Sequence, residues 1–267
     1  MSDSHLKLSI LITTIDVWIE TVISKMIWQF SWVYEVIVSH QITDGQWIQH
    51  DYAWPDNVKY VYKHSTWLSR NRNHALSHAT GDICYICDDD ISMKSDFIGI
   101  IQSAYFHSPQ ADIITFEAAN EIWKKRFDLR WWNHNFISFL KISSIWITFQ
   151  REAIVNKSIY FNEKFGLGSR YPIWEEVLFL QECYKKWCKM IHNESIIVEH
   201  PDDSTGRQYT DKLAESRIML WKKLFWWFWW VFACVYFWVF HYKLYSKTLW
   251  TKKTLVIFFS TLFSKED

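Results

Sequence analysis

The segment GDICYICDDD, residues 81–90, drives an apolar run into three consecutive aspartates, Asp88, Asp89 and Asp90. Adjacent carboxylates repel one another, and gathering them at the end of a buried strand is costly unless a positive charge sits among them. Hard oxygen donors suit Mg2+ or Mn2+, and such an ion also holds diphosphate oxygens. If extended backbone persists past Cys87, Asp88 and Asp90 face one side and Asp89 the other. That DxD pattern offers one carboxylate to a metal and another to a hydroxyl or a water; a solvated turn at a strand end is the plainer explanation of the same triplet.

Glu175 and Glu176, just before VLFLQECY, form a second acidic pair. Helix starts favour acidic side chains, which gives the pair an ordinary explanation, but a carboxylate near a hydroxyl also serves as a general base. The polar loop EHPDDSTGRQY, residues 199–209, supplies His200, a metal ligand or phosphate donor, and Arg207, able to neutralise phosphate oxygens. Arg70, Arg72 and His74 are further donors on a helical stretch.

These groups need a scaffold, and the alternation of apolar patterns predicts one. Strands are expected at Leu6–Thr13, Tyr34–Ser39, Val58–Tyr62, Ile83–Cys87, Ile113–Phe116, Ile145–Gln150 and Ile196–Val198. Helices are expected at Trp18–Gln29, Ser69–His78, Phe97–Phe106 and 175–187. This order predicts an α/β fold, a Rossmann-like and largely parallel sheet flanked by helices, with ligands gathered beyond the carboxyl ends of the strands. The aspartates occupy such an end.

The 267 residues carry 29 basic and 29 acidic side chains, but from Arg207 onward there are ten Lys or Arg against four Asp or Glu. That tail contains Leu224–Phe240, LFWWFWWVFACVYFWVF, without a charge, and a second apolar patch at Thr254–Phe263. Aromatic rings and lysines anchor at the headgroup level, so residues 211–267 read as a helical tail for an anionic membrane surface, lying on one leaflet or spanning it with one short segment. Residues 1–210 make the remaining domain. Basic groups concentrated beside an apolar tail exclude a nucleic-acid partner. No amino-terminal signal peptide is visible, and five cysteines without disulfide-scaffold density point to a reducing compartment, hence to the cytoplasmic face of a membrane.

Four blocks in order carry a family resemblance: LSILITT, YEVIVSHQITDG, LSRNRNHALSHATGDICYICDDD and FNEKFGLGSRYPIWEEVLFL. Together they resemble the family 2 glycosyltransferases of the GT-A fold, over roughly residues 6–200. The resemblance implies inverting sugar transfer from a nucleotide-diphosphate sugar, a UDP-sugar above all, with Mn2+ or Mg2+ as cofactor. It places Asp90 and His200 on the metal, Asp88 on the ribose or diphosphate, Thr13, Thr14, Arg72 and Arg207 on the donor side, and Glu176 as base beside Glu175. The acceptor, a growing surface polysaccharide or lipid-linked glycan, would meet Trp131, Trp132 and Trp174. Two departures stand out. Ser39, His40 and Gln41 replace an aspartate that many relatives use to recognise the base, and Trp67 and Trp174 stand where relatives have small residues or glycine. The alternatives are a non-catalytic nucleotide- or sugar-binding protein on the same fold, and a nucleotidyltransferase.

Overall fold

The computed structural model describes residues 6–43, 52–119, 134, 138–200, 210–225, 235, 256, 260 and 261. Strand β1 spans Leu8–Ile15 and is followed by a short helix, α1, at Ile19–Thr21. Then come β2 (Glu35–Ile42), β3 (Val58–His64), α2 (Leu68–His78), β4 (Ile83–Cys87), β5 (Ser92–Met93), α3 (Phe97–His107) and β6 (Ile113–Ala119). The second half holds β7 (Ile147–Gln150), α4 (Arg151–Asn156), α5 (Glu175–Lys185), β8 (Met190–Glu199) and α6 (Asp211–Leu224).

The strands form a single sheet in the order β3-β2-β1-β4-β7-β6-β8-β5. Its first four strands are parallel, and β6 and β8 are parallel to each other. The expectation of a largely parallel sheet needs one refinement: β7 runs antiparallel to both β4 and β6, and β5 antiparallel to β8. Strands β1 and β4 are buried at almost every position because both of their faces are covered. Each buried isoleucine or leucine there contributes about 1.5–3 kcal/mol of transfer free energy.

Three elements depart from the sequence expectation. The stretch expected as one helix over Trp18–Gln29 is a chain of 3-10, α and π turns from Asp16 to Phe30. Its β-branched residues, Val17, Ile19, Thr21, Val22 and Ile23, lose rotamer freedom in a regular helix. The last strand is ten residues long instead of three. Its polar stretch, His192-Asn193-Glu194-Ser195, breaks the apolar alternation, yet His192 is buried against Glu117 (3.2 Å) and Thr115 (2.9 Å). Tertiary partners compensate what the local pattern lacks. The two-residue β5 was too short to leave any periodic signal.

Among the described residues no helix is long and apolar enough to cross a membrane. Most of Leu224–Phe240 and Thr254–Phe263, expected to meet a membrane, lies outside the described residues. The beginning of the 211–267 segment does fold onto the sheet domain. Thr210 caps α6 through Leu213 N–H, and Gln181 on α5 donates to the Lys223 carbonyl at 3.1 Å.

Candidate active site

Helix α2 carries the polar residues that tie the two halves of the site together. Asn71, buried, donates to the Ser39 carbonyl (2.8 Å) and the Thr14 carbonyl (3.3 Å), locking α2 onto the carboxyl ends of β1 and β2. Asn73 exchanges two hydrogen bonds with Phe161, and Ser69 donates to the Phe165 carbonyl at 2.6 Å. The spacing in LSRNRN thus serves two directions, with Asn71 facing the strands while Ser69 and Asn73 hold the FNEKFGLG segment.

That segment turns sharply before α5. Gly168 has φ +79°, and a Cβ there would lie 1.7 Å from the Thr66 carbonyl oxygen; Gly166 has φ +99° and sits against Ser69 and Glu175. Only glycine fits such a close backbone approach. The turn delivers Glu175 and Glu176 to the first turn of α5.

Arg72 joins the two acidic clusters. Its guanidinium, 3% exposed, donates to Glu175 Oε1 at 2.7 Å and to Asp88 Oδ1 at 2.9 Å. Burial works against its charge, but the carboxylates of Asp88 and Glu175 more than offset this and hold Arg72 protonated. Its face covers the Phe161 ring at 5.6 Å, and its Nε has no hydrogen-bond partner among the described residues. The second oxygen of Asp88 accepts from Ser144 at 3.2 Å.

The aspartates separate by tertiary contact. The chain leaves extended geometry after Cys87, so the expected pairing of Asp88 and Asp90 on one face does not persist. Asp88 turns to Arg72. Asp90 reaches His200, with Nε2 and Oδ1 3.5 Å apart, because β5 pairs Ser92 with Glu199 and thereby sets the two loops side by side. Asp89 was expected to face away; instead burial and its two acidic neighbours push it up to about 7, while the Thr14 hydroxyl at the end of β1 partly opposes the rise. Burial also raises Asp90, and His200 opposes that rise. Burial and the charge of Glu175 push Glu176 up to about 8, with its own backbone N–H and Arg72 acting against them.

Asp90 and His200 fit a divalent metal as a carboxylate oxygen and an imidazole nitrogen already in register. Among the described residues no group of three or more His, Cys, Asp or Glu side chains forms a protein-built shell. A two-ligand site of this kind matches a metal whose other ligands are phosphate oxygens and water.

The remaining expected residues divide. Thr13 and Thr14 are buried at the end of β1, and the Thr13 hydroxyl lacks a partner among the described residues. Trp174 stands directly before Glu175 on left-handed backbone, φ +79°, with its indole N–H buried and unpartnered among the described residues. Trp67 stacks under the Arg70 guanidinium at 4.3 Å. His40, in place of the base-reading aspartate, is fully buried: its Nε2 bonds the Asp16 carbonyl and its Nδ1 the Tyr60 hydroxyl, each at 3.0 Å. Burial lowers its pKa, so the imidazole is neutral. Arg207, Trp131 and Trp132 lie outside the described residues. Sequence reasoning missed Ser144 and Phe161 as neighbours of the Asp88–Arg72 pair, and no local pattern marks either.

A sheet parallel through its first four strands and flanked by helices matches the GT-A fold. The family model for glycosyl transferase family 2 matches residues 34–175, more than half of the chain, and the chain belongs to that family. Solved structures of S. aureus TarS share the fold. TarS residues 1–349 superimpose with a TM-score of 0.58 at 13% identity, covering 81% of this chain and 64% of that one. The same fragment in complex with UDP-GlcNAc gives 0.58 at 12% identity over 81% and 66%. A longer TarS structure gives 0.58 at 14% identity, of whose length this chain spans 39%. No curated protein matches the chain by sequence.

Proposed function

We propose that the protein transfers a sugar, with inversion at the anomeric carbon, from a nucleotide-diphosphate donor to a hydroxyl of a growing surface polysaccharide or lipid-linked glycan. The observation that carries this reading is the Asp88–Arg72–Glu175 bridge, 2.9 Å and 2.7 Å long, which sets a donor-side carboxylate beside the start of α5. A UDP-sugar is the donor most in keeping with it, since the TarS fragment of like fold has been solved with UDP-GlcNAc and with UDP.

In this reading Glu176 takes the proton of the acceptor hydroxyl as the hydroxyl attacks the anomeric carbon in a single displacement. A base whose pKa is raised toward neutrality is well matched to that task. Glu175, held by Arg72, positions the helix turn that carries Glu176. Thr13 and Thr14 border the nucleotide; Arg207 is assigned to the donor, and Trp131 and Trp132 to the acceptor. Asp90 and His200 would hold Mn2+ or Mg2+, which when bound supplies positive charge for the departing diphosphate. Residues 1–210 form the catalytic domain, onto which α6 packs, and the rest of the 211–267 segment holds it at the cytoplasmic face of an anionic membrane.

The test is a panel of UDP- and GDP-sugars with Mn2+, read as nucleoside diphosphate release and calorimetric binding. Turnover lost in Asp90→Ala and Glu176→Ala with the fold retained supports transfer; absence of both turnover and nucleotide binding overturns it. One observation favours a second reading. Trp174, strained and directly beside the base, suits a nucleotide-binding protein without transfer, whose signature is nucleotide binding without turnover. Release of pyrophosphate instead of nucleoside diphosphate would mark a nucleotidyltransferase.

A further inference from the structure

Far from these carboxylates, the other end of α5 brings two thiols and an ammonium together. The Cys188 N–H donates to the Cys183 carbonyl at 2.9 Å and the Trp187 N–H to the Tyr184 carbonyl at 3.1 Å. Trp187 between them has φ +58°. This double closure is the Schellman ending of a helix, and it places the side chains at its first and sixth residues in contact. Here those residues are Cys183 and Cys188.

The helix ending alone accounts for two neighbouring cysteines, but not for the cation aimed at one of them. Lys157, just beyond α4, places Nζ 3.4 Å from Cys188 Sγ and 3.2 Å from Asp112 Oδ2. Cys183 is fully buried, while Cys188 retains 8% exposure between the exposed Trp187 and Lys189. The hydrogen bond from Cys183 and the charge of Lys157 outweigh burial and lower the Cys188 thiol to about 7; Cys183, buried and facing Glu182 as well as Cys188, is pushed up. Cys84 and Cys87, equally buried but lying within β4, have burial as the main influence, and it raises both. The four described cysteines therefore divide into a nucleophile, its neighbouring thiol and two inert core residues.

We propose that Cys188 and Cys183 form a peroxide-reactive dithiol, with Cys188 the attacking sulfur and Cys183 the resolving one. The Cys188 thiolate attacks one oxygen of a hydroperoxide, the O–O bond breaks, and the departing oxygen takes a proton, leaving a sulfenic acid. Cys183 Sγ then attacks Cys188 Sγ; the S–O bond breaks and the hydroxide leaves as water with the Cys183 proton. With hydrogen peroxide as oxidant the sum is two thiols and one peroxide giving one disulfide and two waters. Lys157 holds the thiolate, and Asp112 holds Lys157. The disulfide closes the six-residue turn that ends the helix whose first turn carries Glu175 and Glu176.

The full-length protein, treated with hydrogen peroxide at pH 7 and digested without reduction, should yield a peptide linked between residues 183 and 188. Cys183→Ser should halt at the sulfenic acid and become labelled by a dimedone probe at Cys188. Lys157→Met should slow alkylation of Cys188 by iodoacetamide about fivefold at pH 7, the change in thiolate fraction when a thiol pKa of about 7 rises by about one unit. The wild-type alkylation rate needs no variant: its pH midpoint should fall near 7, with Cys84 and Cys87 unreactive in the folded protein. A Cys188 that alkylates no faster than Cys84, or a peroxide-treated protein with no 183–188 link, overturns the proposal.

Discussion

Arg72 and Glu175, 103 residues apart in the chain, meet in a buried 2.7 Å ion pair. Through the same guanidinium Glu175 is coupled to Asp88 at the end of β4. The two acidic clusters are thus one electrostatic unit, and a change at its centre is felt on both sides.

Removing that centre by Arg72→Met leaves two carboxylates facing one another with no cation between them. Breaking a buried pair in this way costs about 3–5 kcal/mol. Urea denaturation should show a loss of that order, and sugar transfer should fall with it. Arg72→Lys, which cannot reach both partners with a planar fork, should restore part of the stability and little of the transfer.

Glu176 ties activity and stability to pH in opposite senses. Its folded-state pKa, pushed up to about 8, lies above the ordinary 4.5 of an unfolded glutamate. The native state therefore binds the extra proton, and the associated stability, full below about pH 4.5, is lost as pH rises through about 8. The rate limited by its deprotonation should rise over the upper part of that window. Glu176→Gln should abolish transfer while raising the melting temperature at pH 8, a pair of results that a purely structural glutamate would not give.

Trp174 and Trp187 lie on left-handed backbone, with φ +79° and +58°. For an L-residue that conformation costs roughly 1–2 kcal/mol, and at the end of a helix it is ordinarily glycine that accepts it. Trp187 is also 91% exposed, so its ring returns little in burial. Trp187→Gly should stabilise the protein by about 1 kcal/mol in thermal denaturation. Trp174→Gly should do likewise and should raise turnover if the ring hinders the acceptor at Glu176.

The chain has nineteen tryptophans and six glycines, and these two tryptophans take backbone conformations that suit glycine. That combination predicts that the gene's own cell decodes glycine at 174 and 187, as happens where a codon read as tryptophan under one genetic code means glycine under another. Peptide mass spectrometry of the native protein checks it: glycine at both positions is the expected result, and tryptophan at both refutes the prediction.

Local pattern alone marks β4 and its triplet, because five buried residues followed by charges have no other economical conformation. It marks α2 as a helix and α5 as one that opens on acids, since those signals sit within a few residues of one another. It marks Trp174 as out of place before any angle is known. Tertiary structure decides the rest. The division of the aspartates depends on the exit from extended geometry after Cys87 and on β5 pairing with β8, contacts across more than a hundred residues. Glu175 receives its partner only when α2 and α5 converge. The polar stretch of β8 becomes strand because Thr115 and Glu117 complete its hydrogen bonds, and the paired thiols depend on how α5 ends. Sequence periodicity reports which face of an element is apolar; it carries no information about which distant polar group will satisfy a buried charge, and in this protein those distant groups make the site.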